Sequence, residues 1–168
     1  MTESLVLVDY VADAYGRETI YPSTPEDRAV ARLFTDLCGG AFGYFPILRG
    51  NDSAASLADF KAGLTGVDAF LRTYSKFGGP FLFGSSFSTA ECVLAPFLQR
   101  ACVILPHFKG SSFDPLSIVD TEGLTALEEW MQAVLARPSV AATGLEPSQV
   151  IESTTTMLER FANAAAKK

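Results

Sequence analysis

Histidine and cysteine are scarce in this sequence, and this limits the chemistry it can support. One histidine, His107, and three cysteines, Cys38, Cys92 and Cys102, occur among 168 residues. Such a set cannot assemble a Ser-His-Asp triad or a zinc site, so we predict no catalytic triad and no metal site. His107 follows Pro106 at a predicted helix end, where we expect surface exposure or a favourable interaction with the helix dipole.

The cysteines do not form a disulfide framework of the secreted type. Cys92 and Cys102 lie ten residues apart on one predicted helix, which separates them by about 15 Å along the axis. A disulfide requires Cα atoms within about 7 Å of each other. We therefore expect small buried thiols and a reducing compartment such as the cytoplasm.

Positive charge is also in deficit. Thirteen basic residues against nineteen acidic ones give a net charge of -6, and apart from the terminal Lys167-Lys168 there is no basic run. This balance argues against nucleic acid or an anionic membrane as the main partner. The most apolar stretch, Val93 to Leu105, is shorter than the roughly 20 residues of a membrane span. We expect a core helix there and no membrane span.

What the sequence has in abundance is helical periodicity, with 48% hydrophobic residues. Apolar residues recur at spacings of three and four in four stretches, which predicts amphipathic helices and an all-α helical bundle. The stretches are Val30 to Ala41, Leu57 to Tyr74, Leu124 to Leu135 and Val150 to Phe161. The pattern of a further stretch, Leu5 to Tyr15, fits a buried strand as well as a helix.

The central helix has the clearest start signal. Ser88 and Glu91 form the pattern of a capping box, and an apolar face follows with Pro96 inside the helix. The preceding segment, 78–84, is predicted to be a loop with a short extended piece. Loops are also predicted at 49–53, 109–120 and 143–147.

Several of these segments resemble the C-terminal domain of glutathione transferases, in the family's order. Phe81 to Arg100 resembles the loop, capping box and Pro-containing helix of that domain. Trp130 to Val140 resembles a later helix with its Trp and its Arg-Pro end, and Tyr21 to Arg32 resembles the start of the first helix. The resemblance implies an all-α bundle of the glutathione-transferase C-terminal type, in which Ser88, Glu91 and Trp130 are structural.

The first residues add a further resemblance. Glu3 to Val11 is similar to the Glu-Ser pair and last helix of the family's thioredoxin-like domain, which favours a helix over a strand from Leu5. The implied domains are a thioredoxin-like remnant at 1–16, a linker at 17–24 and the helical domain at 25–168. Glu3 and Ser4 would then form half of a site for the γ-glutamyl end of glutathione. The linker and helical pattern look nearest to the omega and lambda classes.

The family also implies a hydrophobic substrate pocket. The residues that match its position are Phe42, Phe45, Phe97 and Arg100, although core packing accounts for the aromatic side chains about as well. We expect the chain to lack the unit that carries the family's nucleophile and cis-proline loop. No cofactor is therefore expected in this chain, and glutathione is expected only where that domain is present.

Two functions follow from the resemblance. In the first, the chain has no transferase activity alone and acts as a protein-interaction or scaffold module, with a partner on the face that the thioredoxin-like domain has vacated. In the second, it is the C-terminal part of an active omega- or lambda-like glutathione transferase or thiol reductase. A third possible function is a small-molecule carrier, which no specific residue supports. The family also implies a homodimer.

Overall fold

The computed structural model describes residues 4–15, 20–50 and 52–165, and these residues form nine α-helices and one 3-10 turn. In chain order they are α1 (Ser4–Tyr15), α2 (Pro25–Ala41), α3 (Phe45–Leu48), α4 (Ala54–Tyr74), α5 (Thr89–Lys109), the 3-10 turn (Ser111–Phe113), α6 (Pro115–Thr121), α7 (Thr125–Ala136), α8 (Pro138–Thr143) and α9 (Pro147–Ala165). Within the described ranges no strand is present, so the predicted all-α bundle is confirmed.

Helix α5 is the centre of the bundle. It packs against α1, α2, α3, α6, α7 and α9. Its core face is made of side chains at helical spacings, which are Leu94, Leu98, Ala101 and Leu105. Among the described helices, α5 alone has the length and apolar composition of a membrane span. Its contacts on several sides make it the core helix that the sequence predicts.

The helices begin where local capping satisfies their first amides. At α5 the predicted capping box is formed, and the Ser88 hydroxyl also accepts from the Ala90 amide at 3.2 Å. At α2 the Thr24 hydroxyl accepts from the Asp27 amide at 3.1 Å, and Pro25 occupies the first helical position. These side chains replace bonds that the first turn of a helix cannot make internally.

The core next to α5 is aromatic. Phe34 on α2 meets the edge of the Trp130 ring, with the ring centroids 5.2 Å apart, and it stacks on Phe70 of α4 at 5.5 Å. Trp130 on α7 is only 1% exposed, and its ring contacts Phe34 and Phe42. A buried indole needs a hydrogen-bond acceptor as well as apolar neighbours.

Three short helices, α3, α6 and α8, lie in segments where the sequence predicts a loop or shows no repeating apolar pattern. One of them, α6, overlaps the predicted loop at 109–120, so that prediction is wrong from residue 115 onward. It begins because the Asp114 carboxylate accepts from the Leu116 amide at 3.1 Å and Pro115 fixes the first helical residue. The others, α3 and α8, are too short to repeat an apolar stripe. The predicted extended piece before α5 is present as two isolated bridges, Phe81 with Gly84 and Phe83 with Ser86.

Helix α1 attaches to the bundle through α5. The two interpretations of this stretch, strand or helix, are resolved in favour of the helix. Of its described side chains only Ala12 is buried. A hydrogen bond also links α1 to the segment before α2: the Tyr21 hydroxyl donates to Asp9 Oδ1 at 3.0 Å.

Candidate functional site

A cleft of about 810 Å³ lies between α1, α2 and α5. Each helix contributes residues about one turn apart, so one face of each helix forms a wall. The walls include Leu5, Val8 and Asp9 from α1, Arg28, Arg32, Asp36 and Gly40 from α2, and Thr89, Val93 and Phe97 from α5. The volume lies within the range of about 300–1,000 Å³ that is typical of small-molecule sites.

The charged groups of the cleft differ in how firmly they are held. The Arg28 guanidinium donates to the backbone carbonyls of Pro22 and Ser23, each at 3.0 Å, and so ties the segment before α2 to that helix. Arg32 lies one turn further along, is exposed, and has no carboxylate partner at ion-pair distance in the described part of the chain. Arg32 is therefore the cation that is available to an anionic group in this cleft.

The apolar side of the cleft continues onto the surface of α1. Six large apolar side chains of this helix are 40–81% exposed. We call them the α1 patch, and they are Leu5, Val6, Leu7, Tyr10, Val11 and Tyr15. Large apolar side chains exposed together on one helix are typical of an interaction surface or a ligand site.

The four pocket residues named from the sequence do not come together. Phe97 lines the cleft and is 39% exposed. Phe42 is buried, with its ring centroid 6.5 Å from that of Trp130, and Phe45 packs on Tyr44 with centroids 4.7 Å apart. Arg100 lines a separate cavity. The role of these four residues in ligand binding stays a prediction.

The proposed glutathione half-site lies at the edge of the described chain. Glu3 lies outside the described residues, and Ser4 is the first residue of α1, with its side chain also outside the description. The binding of a γ-glutamyl group by Glu3 and Ser4 remains a prediction.

The structural residues Ser88, Glu91 and Trp130 meet at one buried carboxylate. Glu91 is fully buried, and its Oε2 accepts from the Ser88 amide at 2.9 Å and the Ser88 hydroxyl at 2.6 Å. Its Oε1 accepts from the Leu82 amide at 3.0 Å and the Trp130 indole at 3.2 Å. A buried carboxylate is tolerated because these four donors replace its hydration.

The thiols are poor nucleophiles. Burial, followed by the nearby Glu91 charge, raises the pKa of Cys38 well above its usual value and also raises the pKa of Cys92. Burial, followed by the charge of Asp114, raises the pKa of Cys102 to about 12. All three are free thiols that stay protonated near neutral pH. No group of side chains that could hold a metal ion occurs in the described part of the chain.

Arg32 and Val93 line the cleft, although neither was predicted from the sequence as a site residue. A signal was present, because Arg28, Arg32 and Asp36 follow each other at intervals of four, as do Thr89, Val93 and Phe97. Residues four apart share a helix face. The sequence does not reveal that the two faces oppose each other, since this depends on how α2 and α5 pack.

Comparison with known proteins relates the helical bundle to one family. Residues 52–133 match the family model of the glutathione S-transferase C-terminal domain. No curated protein matches the chain. The solved structure of glutathione transferase Omega 1C from Trametes versicolor has 28% sequence identity and a TM-score of 0.72, with 94% of this chain covered. For Omega 2C from the same organism these values are 29%, 0.71 and 96%.

A third solved structure shares the fold at lower identity. It is Leishmania TDR1, described as a unique trimeric glutathione transferase, with 20% identity, a TM-score of 0.74 and 96% of this chain covered. The chain spans 65% of the length of Omega 1C, 67% of Omega 2C and 35% of TDR1.

Proposed function

The chain carries the helical C-terminal domain of the glutathione transferase superfamily, and we propose that it acts as a protein-interaction module that docks a partner through the α1 patch. The main support for this proposal is that α1 exposes six large apolar side chains, while Ala12 is the one buried residue among its described side chains. Covering such a helix with a protein surface removes apolar area from water, which is favourable at about 25 cal/mol per Å². A reducing compartment such as the cytoplasm suits this role because the three cysteines are free.

The thiols support a binding role for the chain alone. Each has a raised pKa, so none of them offers the thiolate that thiol-transfer chemistry requires. In this proposal the cleft beside the α1 patch is part of the docking surface. Arg32 at its wall would select partners that present a carboxylate next to an apolar side chain.

The alternative is that the chain is the C-terminal part of an omega-like glutathione transferase or glutathione-dependent thiol reductase. Its support is the 28% and 29% identity to Omega 1C and Omega 2C over nearly the whole chain. In this case a thioredoxin-like domain would cover the α1 patch and supply the nucleophile. Glutathione would bind with Glu3 and Ser4, and the cleft with Phe97 would take the apolar substrate.

One experiment separates the two proposals. The intact mass of the protein from its natural source is measured together with its oligomeric state, and glutathione is titrated into the 168-residue chain. A native mass equal to that of this chain, in a stoichiometric complex with another protein, supports the interaction module. A larger native mass with glutathione-dependent activity supports the enzyme, and a complex of identical copies would point to a homodimer.

The docking surface is tested by a variant pair. Val6→Gln with Tyr10→Gln changes two patch residues that lie on the same side of α1, each about half exposed. The control is Phe77→Gln, because Phe77 is fully exposed but lies outside the patch. We expect the double variant to lose the complex and the control to keep it. Equal loss in both variants, or in neither, would reject docking through α1.

A further inference from the structure

A second cavity, of about 440 Å³, lies on another face of α5. It is lined by α5, α7, the end of α8, the segment that joins α8 to α9, and Val150 of α9. It shares no lining residue with the cleft beside α1. Its volume lies at the lower end of the range for small-molecule sites, which suits a ligand of one or two rings.

The lining of this cavity combines apolar walls with polar groups and a single charge. Val103 of α5, Leu135 of α7 and Val150 of α9 form apolar walls. Arg100 is the one charged residue among the described side chains that line it. It is exposed, and no carboxylate in the described part of the chain lies within ion-pair distance of it. A guanidinium beside an apolar space matches a molecule with a carboxylate on an apolar ring.

The cavity walls are held in place by direct contacts. The Gln99 side-chain amide donates to the Val140 carbonyl at 3.0 Å, which fastens α5 to α8. Gly144 lies so close that a Cβ added there would be 2.7 Å from Nε2 of Gln99. The Cys102 thiol in the wall stays neutral, since its pKa is raised to about 12, chiefly by burial. The wall therefore adds no negative charge opposite Arg100.

We propose that this cavity binds small aromatic carboxylic acids of one or two rings. The carboxylate pairs with the Arg100 guanidinium, and the rings occupy the apolar space between α5, α7 and α9. This binding is independent of a partner on the α1 patch, because the cavity and the cleft beside that patch use different residues of α5.

The test uses sodium 2-naphthoate and the full 168-residue chain with 13C-labelled Val and Leu methyl groups. For a ligand of this size we expect a dissociation constant on the order of a millimolar, which NMR titration measures well. The methyl signals of Val103, Leu135 and Val150 should shift together. Arg100→Gln should weaken binding about fivefold, as expected for a largely exposed ion pair. Because Arg100 is exposed, this variant should fold normally, and its unperturbed spectrum without ligand checks this.

Two controls make the result specific. Arg32→Gln removes a similar cation from the other cleft and should leave the affinity of the cavity for naphthoate unchanged. Neutral 2-naphthamide should bind the wild type and Arg100→Gln equally. The proposal is overturned if Arg100→Gln binds naphthoate as tightly as the wild type. It is also overturned if naphthoate shifts only the methyl groups of the cleft, such as Val93, or shifts none.

Discussion

The indole nitrogen of Trp130 donates to Oε1 of Glu91 across 3.2 Å, although the two residues are 39 positions apart. Glu91 stands in the first turn of α5, and Trp130 lies in the middle of α7. The same carboxylate also holds the Leu82 amide in the preceding loop and caps α5 through Ser88. One buried group thus joins a loop, a helix start and a second helix.

Glu91→Gln should destabilise the protein by about 2–4 kcal/mol. The amide keeps the size of the side chain but replaces one acceptor oxygen with an NH₂ group, so two of the four donors lose their acceptor. Urea unfolding followed by the fluorescence of Trp130 measures the effect. The control is Glu129→Gln, an exposed residue next to Trp130, which should change the stability by less than about 0.5 kcal/mol. Equal urea midpoints for both variants would contradict the role given to Glu91.

Asp68 on α4 caps α7 from outside that helix. Its Oδ1 accepts from the Leu127 amide at 3.0 Å, while the N-cap residue of α7, Leu124, makes no side-chain capping bond. Asp68→Ala should therefore cost about 2 kcal/mol, since the buried Leu127 amide loses its acceptor. Asp59→Ala, at an exposed site on the same helix α4, serves as the control in thermal and urea unfolding. A loss of stability no larger than that of the control would show that α7 starts without help from α4.

Alanine substitutions at Gly79 and Gly66 should change the stability of the protein in opposite directions. A Cβ at Gly79 would lie 2.5 Å from backbone atoms of Gly84 and Ser85, whereas a Cβ at Gly66 in α4 meets nothing within 4 Å. Gly79→Ala should cost about 2 kcal/mol because the loop backbone must move. Gly66→Ala should add about 0.5–1 kcal/mol by raising the helix propensity. Unfolding midpoints of the two variants test this, and a stabilised Gly79→Ala would mean that the loop before α5 has room to adjust.

The stability of the protein should fall above about pH 9. The folded-state pKa of Cys102 is raised from 9.0 to about 12, mainly by burial. The stabilisation that comes from this neutral buried thiol is fully present below the pKa of Cys102 in the unfolded chain. It is lost as the pH rises toward the pKa in the folded protein, because the unfolded chain releases the proton first. From neutral pH to pH 10 the loss from this group is on the order of 1 kcal/mol. Urea unfolding at a series of pH values should give a shallower decline for Cys102→Ala than for the wild type. Parallel curves would contradict the assignment.

The capping box of α5 and the cap of α2 were predictable because they are local. Ser88 with Glu91, and Thr24 with Pro25, act within one helical turn, so spacing alone specifies the contact. The links from Glu91 to Trp130 and from Asp68 to Leu127 were not predictable, since they depend on which faces of distant helices meet.

The candidate site shows the same division between local and distant contacts. Phe42 and Phe97 are the same residue type in similar apolar settings, yet one is 1% exposed in the core and the other is 39% exposed in the cleft. The resemblance to the family indicated a pocket in this region. The assignment of each aromatic side chain required the packing of α2 on α5, which one sequence does not contain.

Helix α1 has so few buried contacts that it can be treated as a separate cooperative unit. Because Ala12 is its one buried residue among those described, opening this helix exposes little apolar surface that the folded protein hides. The amides of α1 should then exchange with solvent through local unfolding, while the amides of α5 exchange only when the whole bundle opens. Any surface that covers α1 must also hold it in its helical form, so the affinity of that contact depends on the free energy of ordering α1.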